Sequence, residues 1–280
     1  MDKVNPLHKF FRQAAIHMEL PSGGRFWPQG SIDIPVTGQI PVMPMTARDE
    51  ITLRTPDALM NGSGIVEVIQ SCCPSIKDAW ATPNVDVDAL LIGIRIATYG
   101  PNMDIDSKCP HCAAENRHGV DLGTVLGSIQ CPDYNHLIAV SNLQIKLKPV
   151  PFFGINRENT VSFQEQKLLQ ALEKPDIDPQ LRAQEIQNSM TRIVDANIEM
   201  TAKATDYIEI DANTRVSEYD FIHEFYTNAA ADILRAVQLR LTEINAQGAP
   251  KPSSVQCSEC TKGYIIPLEF DYANFFVKGF

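Results

Sequence analysis

The chain has no uninterrupted apolar stretch of the roughly 18 to 20 residues that a membrane-spanning helix requires. Its longest such run, Ala89-Leu90-Leu91-Ile92-Gly93-Ile94, is ended by Arg95, so a soluble chain without a membrane partner is expected. The opening residues Met1 to Arg12 lack a continuous apolar region followed by a small-residue cleavage site; no secretory leader is predicted, and folding is expected in a reducing cytoplasm. Positive charge is also in short supply, with 24 Lys and Arg against 34 Asp and Glu and a net charge of −10. No Lys/Arg cluster interleaved with aromatics offsets this locally. An acidic surface repels a phosphate backbone, so nucleic acid is not an expected partner.

The common locally encoded catalytic motifs are missing as well. There is no Gly-x-x-x-x-Gly-Lys-Ser/Thr phosphate loop, no Gly-x-Ser-x-Gly nucleophile turn and no His-Glu-x-x-His helix. The carboxylate pairs Asp86/Asp88 and Asp104/Asp106 are read as a helix start and a solvated turn. No catalytic residue is assigned, and a non-enzymatic protein is expected.

What is present begins with cysteine. Seven cysteines, an odd number, point in a reducing compartment to buried, metal-bound or reactive thiols in preference to disulfides. Four of them form two Cys-x-x-Cys knuckles, Cys109-Pro110-His111-Cys112 and Cys257-Ser258-Glu259-Cys260. That spacing lets two thiolates of one tight turn occupy neighbouring corners of a tetrahedron, and two knuckles complete the four corners. The pattern predicts one structural zinc ion on Cys109, Cys112, Cys257 and Cys260, with an iron-sulfur cluster as the other metal such a set accommodates. A β-prone stretch follows each knuckle, Arg117 to Leu122 and Tyr264 to Phe270, which is the layout of the two halves of a zinc ribbon.

The knuckles stand 144 residues apart, positions 113 to 256, where a gap of roughly 15 to 20 is usual. An insertion whose ends lie close together resolves this, because closure entropy grows only logarithmically with loop length. A closed four-thiolate site leaves no open coordination position, which argues against metal catalysis. Two alternatives stand beside it: a thioredoxin-like redox pair, which needs a strand-to-helix junction that Cys109 lacks, and unrelated buried thiols. His111 and His118 are read as surface residues or supports of the ligands. Cys72, Cys73 and Cys131 are read as partly buried thiols, and His136 and His223 have no ligand spacing.

Residues up to Ile16 carry Leu7, Phe10, Phe11, Ala14 and Ala15 on one helical face, which suits an arm that docks on a partner or on its own domain. Between Leu20 and Leu59, frequent Pro and Gly separate short β-prone pieces, Ser31-Ile32-Asp33-Ile34, Ile40-Pro41-Val42-Met43 and Ile51-Thr52-Leu53. Helices are predicted over Gly64 to Gln70 and Asp86 to Gly100, the latter with an acidic start and a glycine stop. Strands follow at Val120-Asp121-Leu122 and Leu143 to Leu147. Apolar residues at three and four spacing then mark helices within Ser162 to Glu173, Pro179 to Ala204 and Ser217 to Ala246, and Ala246 to Ser254 is a linker.

The predicted fold is α+β: a β-rich N-terminal part, a zinc ribbon-like unit from two distant knuckles, and a helical insertion between them. The division expected is an arm over 1–19, a mixed region over 20–108, a split ribbon region over 109–150 and 251–280, and the insertion over 151–250.

Three segments occur in order before the first knuckle: Leu20-Pro21-Ser22-Gly23-Gly24, Met43-Pro44-Met45-Thr46-Ala47-Arg48-Asp49-Glu50, and Ile94-Arg95-Ile96-Ala97-Thr98-Tyr99-Gly100. Through residues 20 to 125 the chain resembles the T-even-type bacteriophage baseplate protein family, the hub subunits or hub-assembly proteins of contractile tails. The resemblance implies a structural or assembly role without enzymatic activity. It also implies other phage baseplate and tail hub proteins as partners, several copies in a symmetric assembly, and a place in the virion tail baseplate after synthesis in the host cytoplasm. The competing readings are a hub-assembly chaperone absent from the mature virion, and a zinc-dependent enzyme or redox protein.

Overall fold

The computed structural model describes residues 5–55, 62–172, 178–211, 213–268 and 275–276. Mixed helix and sheet are present, as the α+β reading expects. The chain divides into two compact units. One comprises Met1–Ala79, Asp86–Gln130 and Ala249–Phe280, the other Trp80–Val85 and Cys131–Gly248.

In the first unit the opening segment is not the amphipathic helix its periodicity suggests. Asn5 caps a 3-10 helix, Pro6–Phe10, and the chain then extends into strand β1, Ile16–Glu19. Arg12 fixes this path: its guanidinium donates to the carbonyls of Pro44 and Ser71 at 2.8 and 2.7 Å, to Ser71 Oγ, and to Asp49 Oδ2 at 3.2 Å. β1 pairs antiparallel with β2, Gln39–Val42, in a register that sets Ile16 against Val42. The piece Ser31 to Ile34 contributes only an isolated bridge, Ile32 to Ile76.

Ile51-Thr52-Leu53, expected as strand, is instead the last turn of helix α1, Ala47–Leu53. A capping box decides the outcome. Thr46 Oγ1 accepts from the Asp49 N–H while Asp49 Oδ2 accepts from the Thr46 N–H, which satisfies two donors that a helix start leaves open. Helix α2, Ser63–Cys72, buries Ile65, Val66, Val68, Ile69 and Cys72.

Helix α3, Asn84–Tyr99, carries the core. Ala89, Leu90, Leu91, Ile92 and Ile94 are all buried, so the helix is apolar around its whole circumference there and packs on every side. Gly93 lets β1 approach it, since a Cβ at that position would stand 2.5 Å from Met18 Sδ. Gly100, at φ 87°, ends the helix in the left-handed conformation. Asp86, in the first turn, does more than start the helix. It is buried and accepts from the Ser22 N–H, Ser22 Oγ and Trp27 Nε1 at 2.5 to 2.8 Å. Burial pushes its carboxyl up despite these bonds.

Strands β3, Asn102–Lys108, and β4, Glu115–Asp121, form an antiparallel hairpin from Asn102 opposite Asp121 to Lys108 opposite Glu115. Leu122 opens helix α4, Leu122–Ser128, capped by Asp121, and so does not extend the strand.

Among its described residues, the second unit has a four-stranded antiparallel sheet in the order β5-β6-β7-β8 and four α-helices after β6. β5, Leu137–Val140, and β6, Leu143–Leu147, form a hairpin whose turn holds Ser141 at φ 54°. Helix α5, Phe152–Leu172, begins ten positions before the periodic segment at Ser162, and Glu173 lies outside the described residues. α6, Pro179–Ala204, follows the predicted bounds, with Pro at N1 and Asp178 capping two backbone N–H groups. Glu165 and Arg192 join α5 to α6 through two parallel hydrogen bonds of 2.6 and 2.8 Å.

Within the stretch read as helical, two strands appear, β7, Thr205–Asp211, and β8, Thr214–Val216. β7 pairs with β6, which places Ile145 beside Ile208 in the core. The stretch from Ser217 holds two helices, α7, Tyr219–Asn228, and α8, Ala231–Gly248.

Candidate metal centre

The chain returns to the first unit as strands β9, Ser253–Gln256, and β10, Gly263–Ile266, paired antiparallel from Gln256 opposite Gly263 to Ser253 opposite Ile266. Each Cys-x-x-Cys knuckle is therefore the tip of a β-hairpin, Cys109 to Cys112 between β3 and β4, and Cys257 to Cys260 between β9 and β10. The two tips are built alike. Cys109 N–H donates to the Ala114 carbonyl and Ala113 N–H to the Cys109 carbonyl, while Cys257 N–H donates to the Lys262 carbonyl and Thr261 N–H to the Cys257 carbonyl. The residue after the second cysteine is left-handed in both, Ala113 and Thr261 each at φ 59°.

This geometry brings all four predicted residues together. Their sulfurs lie within 4.8 Å of one another, with Cys109 to Cys260 at 3.7 Å and Cys112 to Cys257 at 3.5 Å. A disulfide needs about 2.05 Å, and all four are free thiols. With zinc-sulfur bonds of about 2.3 Å, the corners of a tetrahedron stand roughly 3.8 Å apart, so the spacing suits a four-thiolate metal site. Cys109 and Cys257 are buried, Cys260 is half-buried and Cys112 is exposed.

The facing thiols Cys112 and Cys257 are shifted in opposite directions. The Cys257 thiol is pulled down to about 6, first by the backbone N–H of Cys260 and then by that of Glu259, with Cys112 and Asn116 adding to it. Cys112 goes the other way, to about 12. The Ala114 N–H lowers it, but desolvation and the hydrogen bonds it shares with the other three thiols raise it further. The hydrogen bond between Cys112 and Cys257 favours one thiolate facing one thiol, as in a pair that shares a proton. Four thiolates held this close would repel one another, and a cation at their centre would offset that repulsion.

Behind the sulfurs sit residues the motif did not single out. Asn116 on β4 is buried. Its Nδ2 donates to the Ala114 carbonyl at 3.0 Å and to Cys257 Sγ at 3.6 Å, while its Oδ1 accepts from the Ser258 N–H and Oγ at 2.8 and 2.9 Å. Tyr264 on β10 shares its hydroxyl with Ser107 of β3 at 2.7 Å and His118 of β4 at 3.0 Å. Tyr264 and Ile266 pack with Cys109 and Cys257, with Ile105 and Val255 alongside. The available signal was a polar residue at an inward position of an alternating strand, since Asn116 and Val120 are the buried positions of β4.

The other singled-out residues lie elsewhere. His111 is exposed, with Nε2 3.3 Å from the Gly263 carbonyl. Cys72 and Cys73 are buried; desolvation pushes Cys72 up to about 12 and raises Cys73 as well. Cys131 is half-buried. Asp104 and Asp106 are exposed on β3 and not in a turn, and Asp106 pairs with Arg117 at 2.8 Å. His136 stands near Asp133, and His223 beside Tyr219.

The family model described as T4 bacteriophage base plate protein matches residues 14–277, a span that includes both knuckles, the whole second unit and most of the first. The chain belongs to this family. No curated protein and no solved structure matches it. No helix among the described residues is long and apolar enough to cross a membrane.

Proposed function

We propose that the chain is a structural subunit retained in the baseplate of a contractile phage tail, at its hub or inner ring, and that it acts through contacts with other baseplate and tail proteins. The observation that carries this reading is the family match over residues 14–277. In this reading a structural zinc ion on Cys109, Cys112, Cys257 and Cys260 clamps the two hairpins. A closed site of four thiolates supports folding and leaves no position for substrate. Structural zinc binding couples to folding with apparent free energies on the order of 10 kcal/mol, which suits a particle protein assembled where disulfides do not form.

The division into an arm over 1–19, a mixed region over 20–108, a split ribbon region over 109–150 and 251–280, and an insertion over 151–250 belongs to the same proposal. The arm offers contact surface: Leu7, Phe10 and Phe11 are more than half exposed, while Arg12 anchors its base.

Quantitative mass spectrometry of purified phage particles tests the assignment. A fixed ratio to a known baseplate protein is the expected result. Presence only in baseplate precursors makes the chain an assembly chaperone, and absence from both reopens the zinc-dependent enzyme or redox reading.

A further inference from the structure

The second unit holds a cleft of about 480 Å³ that an assembly role does not require. Glu158 and Asn159 of α5, Asn197 of α6 and Gln238 of α8 line it. Among the described residues, none of these four side chains has a hydrogen bond or ion pair. Asn84, also on the lining, donates to Asn245 Oδ1 at 3.2 Å, while its own Oδ1 is buried without a partner. Buried acceptors that lack donors cost free energy, and a ligand or water that supplies donors recovers it.

The chemistry of the lining selects the class of ligand. Glu158 is the carboxylate of the cleft and Lys148 its cation, the latter 3.9 Å from Asp206, so the lining is close to neutral and favours neither a cation nor an anion. The carboxamides both donate and accept. Val150, Ile155 and Leu241 add apolar patches between them. A ligand that fits carries several groups able to donate and accept at once, with C–H faces between them. We propose that this cleft binds a neutral polyhydroxylated ligand, a mono- or disaccharide, with Glu158 and Asn84 accepting from its hydroxyls and Asn159, Asn197 and Gln238 donating to them.

Saturation-transfer NMR on the full chain provides the test, with methyl β-glucopyranoside and diacetylchitobiose as probes and butylammonium and trialanine amide as comparators. Transfer to the ring protons of at least one sugar is expected. Glu158→Ala and Gln238→Ala each weaken it by roughly tenfold, the equivalent of one strong hydrogen bond, and Glu243→Gln, outside the cleft, leaves it unchanged. Thermal melts confirm that the variants fold, and Gln238→Ala serves if Glu158→Ala does not. The proposal is overturned if neither sugar receives transfer, if both cleft variants leave transfer unchanged, or if only butylammonium or the peptide binds.

Discussion

The side-chain amide of Asn116, on the strand that leaves the first cysteine knuckle, reaches the second, donating to Cys257 Sγ while accepting from the backbone and hydroxyl of Ser258. One residue of the first hairpin thus orients a ligand of the second, across 140 intervening positions of sequence, 117 to 256. Supports of this kind fix the direction of a ligand sulfur and are worth about 10- to 100-fold in metal affinity. Asn116→Ala is expected to lose metal to a competing chelator by about that factor and to lower folding stability by about 0.5 to 1.5 kcal/mol for each hydrogen bond removed, since Ser258 is exposed and water takes up its donors. Asn116→Asp keeps the acceptor but sets a carboxylate against the thiolates, and should bind metal more weakly still. A chelator-competition titration with parallel melts reads both effects.

Ala113 and Thr261 occupy the left-handed position that closes each knuckle. A Cβ there costs about 1 kcal/mol that glycine avoids, partly offset by the greater freedom of glycine in the unfolded chain. Ala113→Gly is therefore expected to leave stability unchanged or raise it by up to about 1 kcal/mol, whereas Ala113→Val, β-branched, lowers it by more than about 1 kcal/mol. Melting temperatures of the two variants should move in opposite directions or differ clearly in size.

Asp86 and Glu165 predict opposite responses to pH. Burial raises the Asp86 carboxyl above its unfolded value, so its contribution is fully present below that value and is lost as pH rises through the folded one. Arg192 lowers Glu165, whose contribution is present above the unfolded value and is lost as pH falls through the depressed one. Urea midpoints between pH 3 and 7, about the ordinary carboxyl range and above, read this as the difference between wild type and each variant. Asp86→Asn removes the fall on raising pH, at a cost of about 1 to 3 kcal/mol because an amide N–H then faces Trp27 Nε1–H. Glu165→Gln removes the fall on lowering it.

Leu90 on α3 is fully buried. Leu90→Ala is expected to cost about 2 to 5 kcal/mol, from lost transfer energy and the cavity left behind. A denaturation curve with an unchanged slope and a lowered midpoint is the expected form.

The parts of this fold legible in the sequence are those fixed by short-range chemistry. The two Cys-x-x-Cys spacings determine their own turns, and the acidic start and glycine stop bound α3. Asp178-Pro179 marks the first turn of α6. Context decided the rest. Ile51-Thr52-Leu53 has strand-forming side chains, but the Thr46-Asp49 capping box commits the segment to helix. The helical spacing of Leu7, Phe10 and Phe11 yields to Arg12, whose bonds to Pro44 and Ser71 hold the chain extended beyond Phe11. β3 is poor in strand formers and rich in Asp, Asn and Ser, and pairs as a strand because the knuckle at its end turns it back onto β4. β7 was hidden in a helical stretch because its partner β6 lies some sixty positions earlier. Asn116 is legible as a polar residue at an inward position of β4, but not its tie to the second knuckle, because no local spacing links it to Ser258.

Native mass spectrometry of the intact chain, with thiol alkylation before and after chelation, tests the metal-joined ribbon most directly. The expected result is one zinc ion per chain, with Cys109, Cys112, Cys257 and Cys260 protected until the metal is removed while Cys131 reacts first. A folded, metal-free chain whose four knuckle thiols alkylate as fast as Cys131 would contradict it.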